Sequence, residues 1–292
     1  MLPITRWTGS KRYQAPIIVD RFPKEVNTYF ESFIGGGSVL GEYLVRLDGG
    51  NYKCNSIVCS DTNTDLINVW KFIKEDSNTF LDEYNKLYEQ FEPLSYDERK
   101  EFYSNIRDKY NKLRRENSND IIRTIYFNWL MRTCFNGLVR YSKNGDFNTS
   151  CHFTRHGMTP KNMEKLITEW SRLLNKFDVQ FFNNSYDNIP FPYNIITKED
   201  IVYCDPPYAN SDGMYDFESF DNIKFFDWLR QLPCKYLLSY DGYSGKVNNT
   251  FDLPIDLYDE HIYINSSQSG FKKLVKNEAV EVSDSFYIKE KV

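Results

Sequence analysis

Short runs rich in β-branched and aromatic residues, bounded by turn formers, read as strands. They lie at Thr28–Ile34, Ser56–Asp61, Asp178–Asn184, Asp200–Cys204, Lys235–Tyr240, Asp256–Ile264 and Val280–Ile288. Between most of them the apolar positions recur at helical spacing, over Val39–Leu47, Asp65–Lys74, Pro160–Leu174 and Asn222–Leu232. Strands alternating with helices predict an α/β fold with a mainly parallel sheet covered on both faces. Only a loop around Ser266–Lys276 separates the last two strands. They are expected to pair antiparallel at one edge.

The alternation breaks between the second and third strands. From about Ser77 to Thr159 the pattern is helical at Thr79–Phe91, Tyr96–Arg115 and Asp120–Cys134, followed by Gly137–Phe147, where Asn144-Gly145 reads as a hairpin turn. A block with its own element type predicts an insertion, 77–159, in a larger domain made of 1–76 and 160–292.

Charge sharpens that division. The chain carries a net −5, which by itself argues against a nucleic-acid partner. Yet Arg99 to Lys176 holds 16 Lys and Arg against 7 Asp and Glu, a balance of +9, and the remainder stands at −14. The basic third is the insertion and the helix after it; such a block is either a solvated helical face or a nucleic-acid surface. Six cysteines (Cys54, Cys59, Cys134, Cys151, Cys204, Cys234) have no CxxC spacing, and there are three histidines (His152, His156, His261), so no zinc site is read. The opening MLPITRWTGSKRYQ lacks the apolar stretch of a signal peptide, and no run of about 18 apolar residues occurs. The expectation is a cytoplasmic protein with free thiols and no membrane contact.

Two stretches carry candidate chemistry. Phe33-Ile-Gly-Gly-Gly37 leaves a strand and enters a helix, where glycine permits a sharp turn. The dinucleotide pattern GxGxxG would place its last glycine where Leu40 stands; Gly41 comes one residue late. Asp61 closes the second strand, placed to accept ribose hydroxyls. Together these indicate a nucleoside-containing cofactor without saying which. The second stretch, Asp205-Pro206-Pro207-Tyr208, directly follows the apolar strand Ile201–Cys204. Two prolines past a strand end make a stiff loop at the edge where open α/β sheets bind ligands. A carboxylate, a proline carbonyl and an aromatic ring within four residues are what a planar aminated base requires: two acceptors for its amino hydrogens and a face to stack on.

With these residues quoted, the chain resembles the Dam-type DNA adenine methyltransferases, the D12 class with the alpha-group motif order. The resemblance rests on WTGSK (Trp7–Lys11), ESFIGGGSVL (Glu31–Leu40), SDTNTDLIN (Ser60–Asn68), RTCFNGLVRYSKNGDFN (Arg132–Asn148) and DPPY (Asp205–Tyr208), in that order. It implies a Rossmann-like S-adenosylmethionine-dependent methyltransferase sheet with a mostly helical target-recognition insert carrying a β-hairpin. It further implies methyl transfer from S-adenosylmethionine to the amino nitrogen of a flipped-out adenine, with no metal. Trp7 and Lys11 match the motif beside the cofactor's methionine end, Phe33, Gly35 and Gly37 the loop under the cofactor, and Asp61 the acid near its ribose. Ser185 and Tyr186 resemble the segment lining its adenine, and Asp205 borders cofactor as well as base. Asn136, Arg140 and Asn144 fall where family members contact DNA. Two departures stand out: Ser32 replaces the commoner proline, and Ser150–Arg155 replaces a Pro-Phe-Gly-Arg-like run, so no contact is carried past Asn148.

The implied partners are double-stranded DNA and, for some family members, a cognate restriction endonuclease; the expected state is a monomer or weak dimer. Three other readings remain at this point. One keeps the cofactor and changes the acceptor to cytosine N4 or to adenine in RNA, although serine more commonly replaces Asp205 in cytosine-N4 enzymes. Another is a catalytically silent DNA-binding protein on the same scaffold, and the third a nucleotide-dependent oxidoreductase, disfavoured by the misplaced glycines.

Overall fold

The computed structural model describes residues 1–118, 120–190, 192–208, 220–268 and 281–290, with only the backbone at 266–268. In chain order the elements are α1 (Ala15–Asp20), β1 (Glu25–Glu31), α2 (Ser38–Asp48), β2 (Lys53–Ser60), α3 (Thr64–Glu75), α4 (Ser77–Phe91), α5 (Tyr96–Arg115), α6 (Ile121–Thr133), α7 (Pro160–Lys176), β3 (Gln180–Phe182), β4 (Ile201–Cys204), α8 (Asn222–Gln231), β5 (Lys235–Ser244), β6 (Val247–Asn248), β7 (Glu260–Gln268) and β8 (Glu281–Lys289).

The strands form one sheet in the order β3-β2-β1-β4-β5-β8-β7, with the short β6 on β5. The first five are mutually parallel. Strand β8 runs antiparallel to both β5 and β7. All seven expected strands and the antiparallel terminal pair are present. Of the expected connecting loop, 266–268 belong to β7 and the rest, with Val280, lies outside the described residues. Strand β1 begins and ends three residues before the expected segment, because the chain leaves the sheet at Ser32 to form the glycine turn, where Gly35 has φ +47°. Helix α1 was not anticipated: six residues with Pro at the first turn are too few to display a period.

Chain connections run from β1 outward to β2 and β3 on one side, then return to β4 and β5 on the other. The sheet's topological switch point therefore lies between β1 and β4, at whose carboxyl ends open α/β sheets bind their ligands. One apolar cluster, including Trp70, Trp129 and Trp170, fills the face toward α2, α3 and α7 and continues without a break into α4–α6. The other, around Phe225, Tyr236 and Tyr240, lies under α8.

Buried polar bonds join the helices of 77–159 to α3. Asp65, in the first turn of α3, accepts the Tyr110 hydroxyl of α5 at 2.7 Å and pairs with Arg123 Nε of α6 at 2.6 Å. The hairpin beyond α6 is carried by α5: Asn111 donates to the Phe147 carbonyl (3.0 Å) and accepts from its N–H (2.8 Å). Arg115 pairs with Asp146 at 2.7 Å, and the Arg114 guanidinium lies 4.6 Å from the Tyr141 ring centre. The hairpin turn is one residue earlier than Asn144-Gly145. Ser142 O accepts Gly145 N–H at 2.8 Å, placing Lys143 and Asn144 at the tip, with Gly145 left-handed after it (φ +79°). This is the three-residue loop with a glycine bulge rather than the two-residue turn.

Candidate active site

Each expected cofactor or catalytic residue outside the N-terminal segment follows a strand end at the same edge of the sheet. Phe33, Gly35 and Gly37 follow β1, Asp61 follows β2, Ser185 and Tyr186 follow β3, and Asp205–Tyr208 follow β4. The N-terminal segment reaches across this edge. Trp170 Nε1 donates to Leu2 O (2.8 Å), Arg132 Nη2 to Pro3 O (2.9 Å) and Asn128 Nδ2 to Thr5 Oγ1 (2.8 Å), while Gln14 reaches Ile264 O on β7 (3.0 Å).

That anchoring sets the glycine turn. A Cβ on Gly35 would lie 2.9 Å from the Trp7 ring, and one on Gly37 (φ +64°) would lie 2.6 Å from Trp70. The glycines are thus required first by tryptophans packed against the turn, a demand the motif alone does not disclose. Trp70 Nε1 also donates to Gly35 O at 3.2 Å. On the other side of the turn Asp61 accepts Gly35 N–H (3.1 Å) and Asn63 N–H (2.9 Å). Burial raises its pKa while these amide bonds oppose the rise. Phe33 stacks on Tyr186 with ring centres 5.7 Å apart, and Phe220 lies 5.9 Å from both. An acid beside a glycine turn and adjoining aromatic faces suit a nucleoside: hydroxyls for the carboxylate, a flat base for the rings.

Lys11 joins the two motifs. Its ammonium lies 2.8 Å from Asp205 Oδ1, 3.4 Å from Asp284 Oδ2, 3.4 Å from Gly9 O and 4.9 Å from the Tyr208 ring centre. Burial alone would lower the Lys11 pKa, but the two carboxylates outweigh it and hold it above its ordinary value. Burial pushes the Asp205 carboxyl up to about 6 against the opposing pull of Lys11, with Asp284 adding to the rise. The Tyr208 phenol is raised well above its ordinary value, chiefly by burial and then by Asp205 and Asp284. Pro206 is buried and Pro207 partly so, which keeps the loop against the sheet.

Asp284 was passed over in sequence. It sits mid-strand in β8, only 8 % exposed, and an acid two positions from Val282 and from Phe286, on the strand face those apolar residues share, is the signal that could have found it. The DNA-side candidates lie apart, within 77–159. Asn136 adopts φ +56°, a left-handed conformation asparagine tolerates, and Arg140 and Asn144 are exposed. Among the described residues Arg140 meets no carboxylate. Past Asn148, His152 is stacked between Phe135 (5.7 Å) and Phe153 (4.7 Å), both partly exposed.

A parallel sheet with an antiparallel end strand, a glycine turn with a following acid, and an acid–proline–proline–tyrosine loop at the switch point define a nucleoside-dependent group-transfer enzyme. The family model of the D12 class N6 adenine-specific DNA methyltransferases matches residues 7–285, and the chain belongs to that family. It is similar to the Type II methyltransferase M.MjaIII of Methanocaldococcus jannaschii, with 30% identity over 275 residues, covering 86% of this chain and 89% of that one. The Type II methyltransferase M.CviBI of Paramecium bursaria Chlorella virus NC1A is 26% identical over 90% of this chain and 88% of its own. A DNA adenine methylase of Vibrio cholerae is 26% identical over 74% and 68%. The chain is accordingly an adenine-specific DNA methyltransferase with DNA as substrate and S-adenosylmethionine as methyl donor. Among the described residues no helix is long and apolar enough to cross a membrane.

Proposed function

We propose that the Asp205–Tyr208 loop is the catalytic element and that Lys11, by bridging it to the glycine turn's N-terminal cover, fixes its geometry. Asp205 and the Pro206 carbonyl accept the two amino hydrogens of the target adenine, Pro207 stiffens the loop, and Tyr208 stacks on the base. Those two bonds draw the amino nitrogen toward tetrahedral geometry and aim its lone pair at the methyl group. Bound S-adenosylmethionine would supply that methyl from an already cationic sulfur and leave as the neutral thioether S-adenosylhomocysteine, while the amino nitrogen gives up one proton, so no covalent enzyme intermediate is required. What the protein contributes is orientation and charge placement.

For the donor, Phe33, Gly35 and Gly37 underlie the nucleoside, Asp61 accepts its ribose hydroxyls, Ser185 and Tyr186 line its base, and Trp7 and Lys11 flank its methionine end. The region 77–159 is the target-recognition insert, and 1–76 with 160–292 form the catalytic domain. Asn136, Arg140 and Asn144 contact DNA, and the adenine is flipped out of the duplex at a cost of about a few kcal/mol. Behind them Arg6, Arg132 and Arg155 form a cationic corner. Burial and then Arg6 lower the Arg132 pKa to about 10, and Arg155 is lowered by the same two causes; Arg132 is held internally by Pro3 O, which leaves the exposed Arg6 and the half-buried Arg155 to meet a phosphate. The enzyme acts on double-stranded DNA in the cytoplasm, as a monomer or weak dimer. A restriction endonuclease partner is in keeping with its Type II relatives.

The observation that carries this reading is the 2.8 Å Lys11–Asp205 contact at the switch point, which brings together two motifs 194 positions apart. Transfer of tritiated methyl into DNA, followed by digestion to nucleosides, tests it. Asp205→Ala is expected to abolish N6-methyladenine while leaving a folded protein. Near-normal turnover would exclude Asp205 as the acceptor.

A further inference from the structure

Strand β8 brings Asp284 into this centre through an irregularity in the sheet. Between Tyr240 and Tyr243 the pairing of β5 with β8 shifts register. Gly242 lies inside that bulge, and a Cβ there would stand 2.1 Å from Ser283 O and 2.9 Å from the Asp284 carbonyl carbon. Only glycine lets the two backbones approach so closely, and bulges beside active sites re-aim the side chains near them. The side chain so placed is an acid at the second oxygen within reach of the Lys11 ammonium.

We propose that Asp284 is a positioning residue for methyl transfer, sharing the Lys11 ammonium with Asp205 so that Asp205 keeps acceptor capacity for the adenine amino group. This inference rests on the assignment of Asp205 as that acceptor. The ammonium has three donors, and three acceptors surround it: Asp205 Oδ1, Asp284 Oδ2 and Gly9 O. Two carboxylates around one ammonium divide its donors, so Asp205 holds only part of that ion pair when the base arrives. Without Asp284 the ammonium would have one carboxylate partner and pair fully with Asp205, withdrawing it from the substrate. Asp284 touches neither substrate nor donor in this scheme; it acts through Lys11.

The test is a double-mutant cycle on the full chain with hemimethylated or unmethylated duplex DNA. Asp284→Asn is expected to lower kcat by tenfold or more with little change in KM for S-adenosylmethionine, and Asp284→Glu to recover part of the loss. In a Lys11→Met background, Asp284→Asn should change kcat less than twofold and should raise Tm, because it removes a buried acid left without its cation. A tenfold further loss in that background, or a wild-type kcat for Asp284→Asn alone, overturns the proposal. If the single variant fails to fold, the Lys11→Met pair still decides. The pH profile gives a readout that simple misfolding would not. The groups facing Asp205 are Lys11 from the N-terminal segment, Glu31 of β1, Tyr203 and Cys204 of β4, Tyr208 of its own loop and Asp284 of β8. Of these, Asp284 raises Asp205, so its removal shifts the acid limb of kcat to lower pH; an unmoved limb counts against the proposal. Failure of the underlying reading is separately visible: turnover by Asp205→Ala would remove the acceptor assignment, whereas an inactive Asp205→Ala beside a fully active Asp284→Asn would sink this inference alone.

Discussion

At the scale of single residues, the carboxyl of Asp205 is held in tension. Burial favours its neutral form and lifts its pKa to about 6, while Lys11 favours the ionised form and limits the rise. Protonation takes up one carboxyl oxygen and removes the negative charge that draws the amino nitrogen toward tetrahedral geometry, so the neutral acid is a poor acceptor for the reaction. Turnover should therefore fall about tenfold for each pH unit below roughly 6, instead of persisting to the ordinary carboxylate range near 4. Single-turnover rates between pH 4.5 and 8 check this, and a plateau down to pH 4.5 would argue that Asp205 is not the titrating group. The same shift bears on stability with a definite sign. A folded-state pKa above the unfolded one means that ionised Asp205 opposes folding, fully above pH 6 and progressively less as pH falls toward 3.8. The acceptor is kept at some expense of stability, as active-site groups commonly are. At this scale the sequence was most informative where chemistry is local: a carboxylate, two prolines and a tyrosine adjacent in sequence are adjacent in space. It was silent on Asp284, 79 positions from Asp205, because the contact depends on a bulge and a reversed strand.

Elements show a different balance. The expected strands and helices followed from periodicity, since a buried strand and an amphipathic helix must each place apolar residues where the sheet requires them. What periodicity could not supply was attachment. Helix α5 looks in sequence like a polar, solvent-laced helix, yet Tyr103, Ile106, Tyr110 and Asn111 form a buried face against the hairpin and α6. Asn111 gives the clearest instance, because its amide satisfies both backbone groups of Phe147 and so substitutes for a neighbouring strand. Replacing it with alanine would leave a buried N–H and a buried carbonyl unpaired, costing about 2–4 kcal/mol if both go unsatisfied. The expected result is a lower Tm together with a raised KM for DNA, while S-adenosylmethionine affinity stays within about twofold, since Asn111 bonds to Phe147 and not to the glycine turn or Asp61. An Asn111→Ala enzyme with unaltered DNA kinetics would show that the hairpin keeps its place without α5.

For the whole molecule the question is how an acidic protein engages a polyanion. A net charge of −5 describes the average, while the region from Arg99 to Lys176 carries +9. Burial reduces the charge this region can offer: Arg123 is 4 % exposed and committed to Asp65, and Arg132 is 6 % exposed and bonded to Pro3 O. Arg140 and Lys143, exposed at and beside the hairpin tip, are the cations best placed to meet DNA. Binding should weaken with salt according to the number of phosphates neutralised, with log K falling by about 0.9 per phosphate contact for each decade of salt. Lys143→Ala is expected to reduce that slope by about one contact and to weaken all sequences alike. Arg140→Ala separates two roles: a phosphate contact lowers the slope in the same way, whereas a bidentate base contact leaves the slope nearly intact and loses about 1–3 kcal/mol of discrimination at one position. Glu25 is the control. It is paired with Lys53 at the amino ends of β1 and β2, and the seven residues of β1 put it about 20 Å from the carboxyl edge, beyond a Debye length of about 8 Å at physiological salt. Glu25→Gln should therefore leave both slope and specificity unchanged. If it steepened the salt dependence as much as Lys143→Ala flattened it, DNA would be responding to the molecule's net charge, and the division into a basic recognition face and an acidic catalytic body would fail.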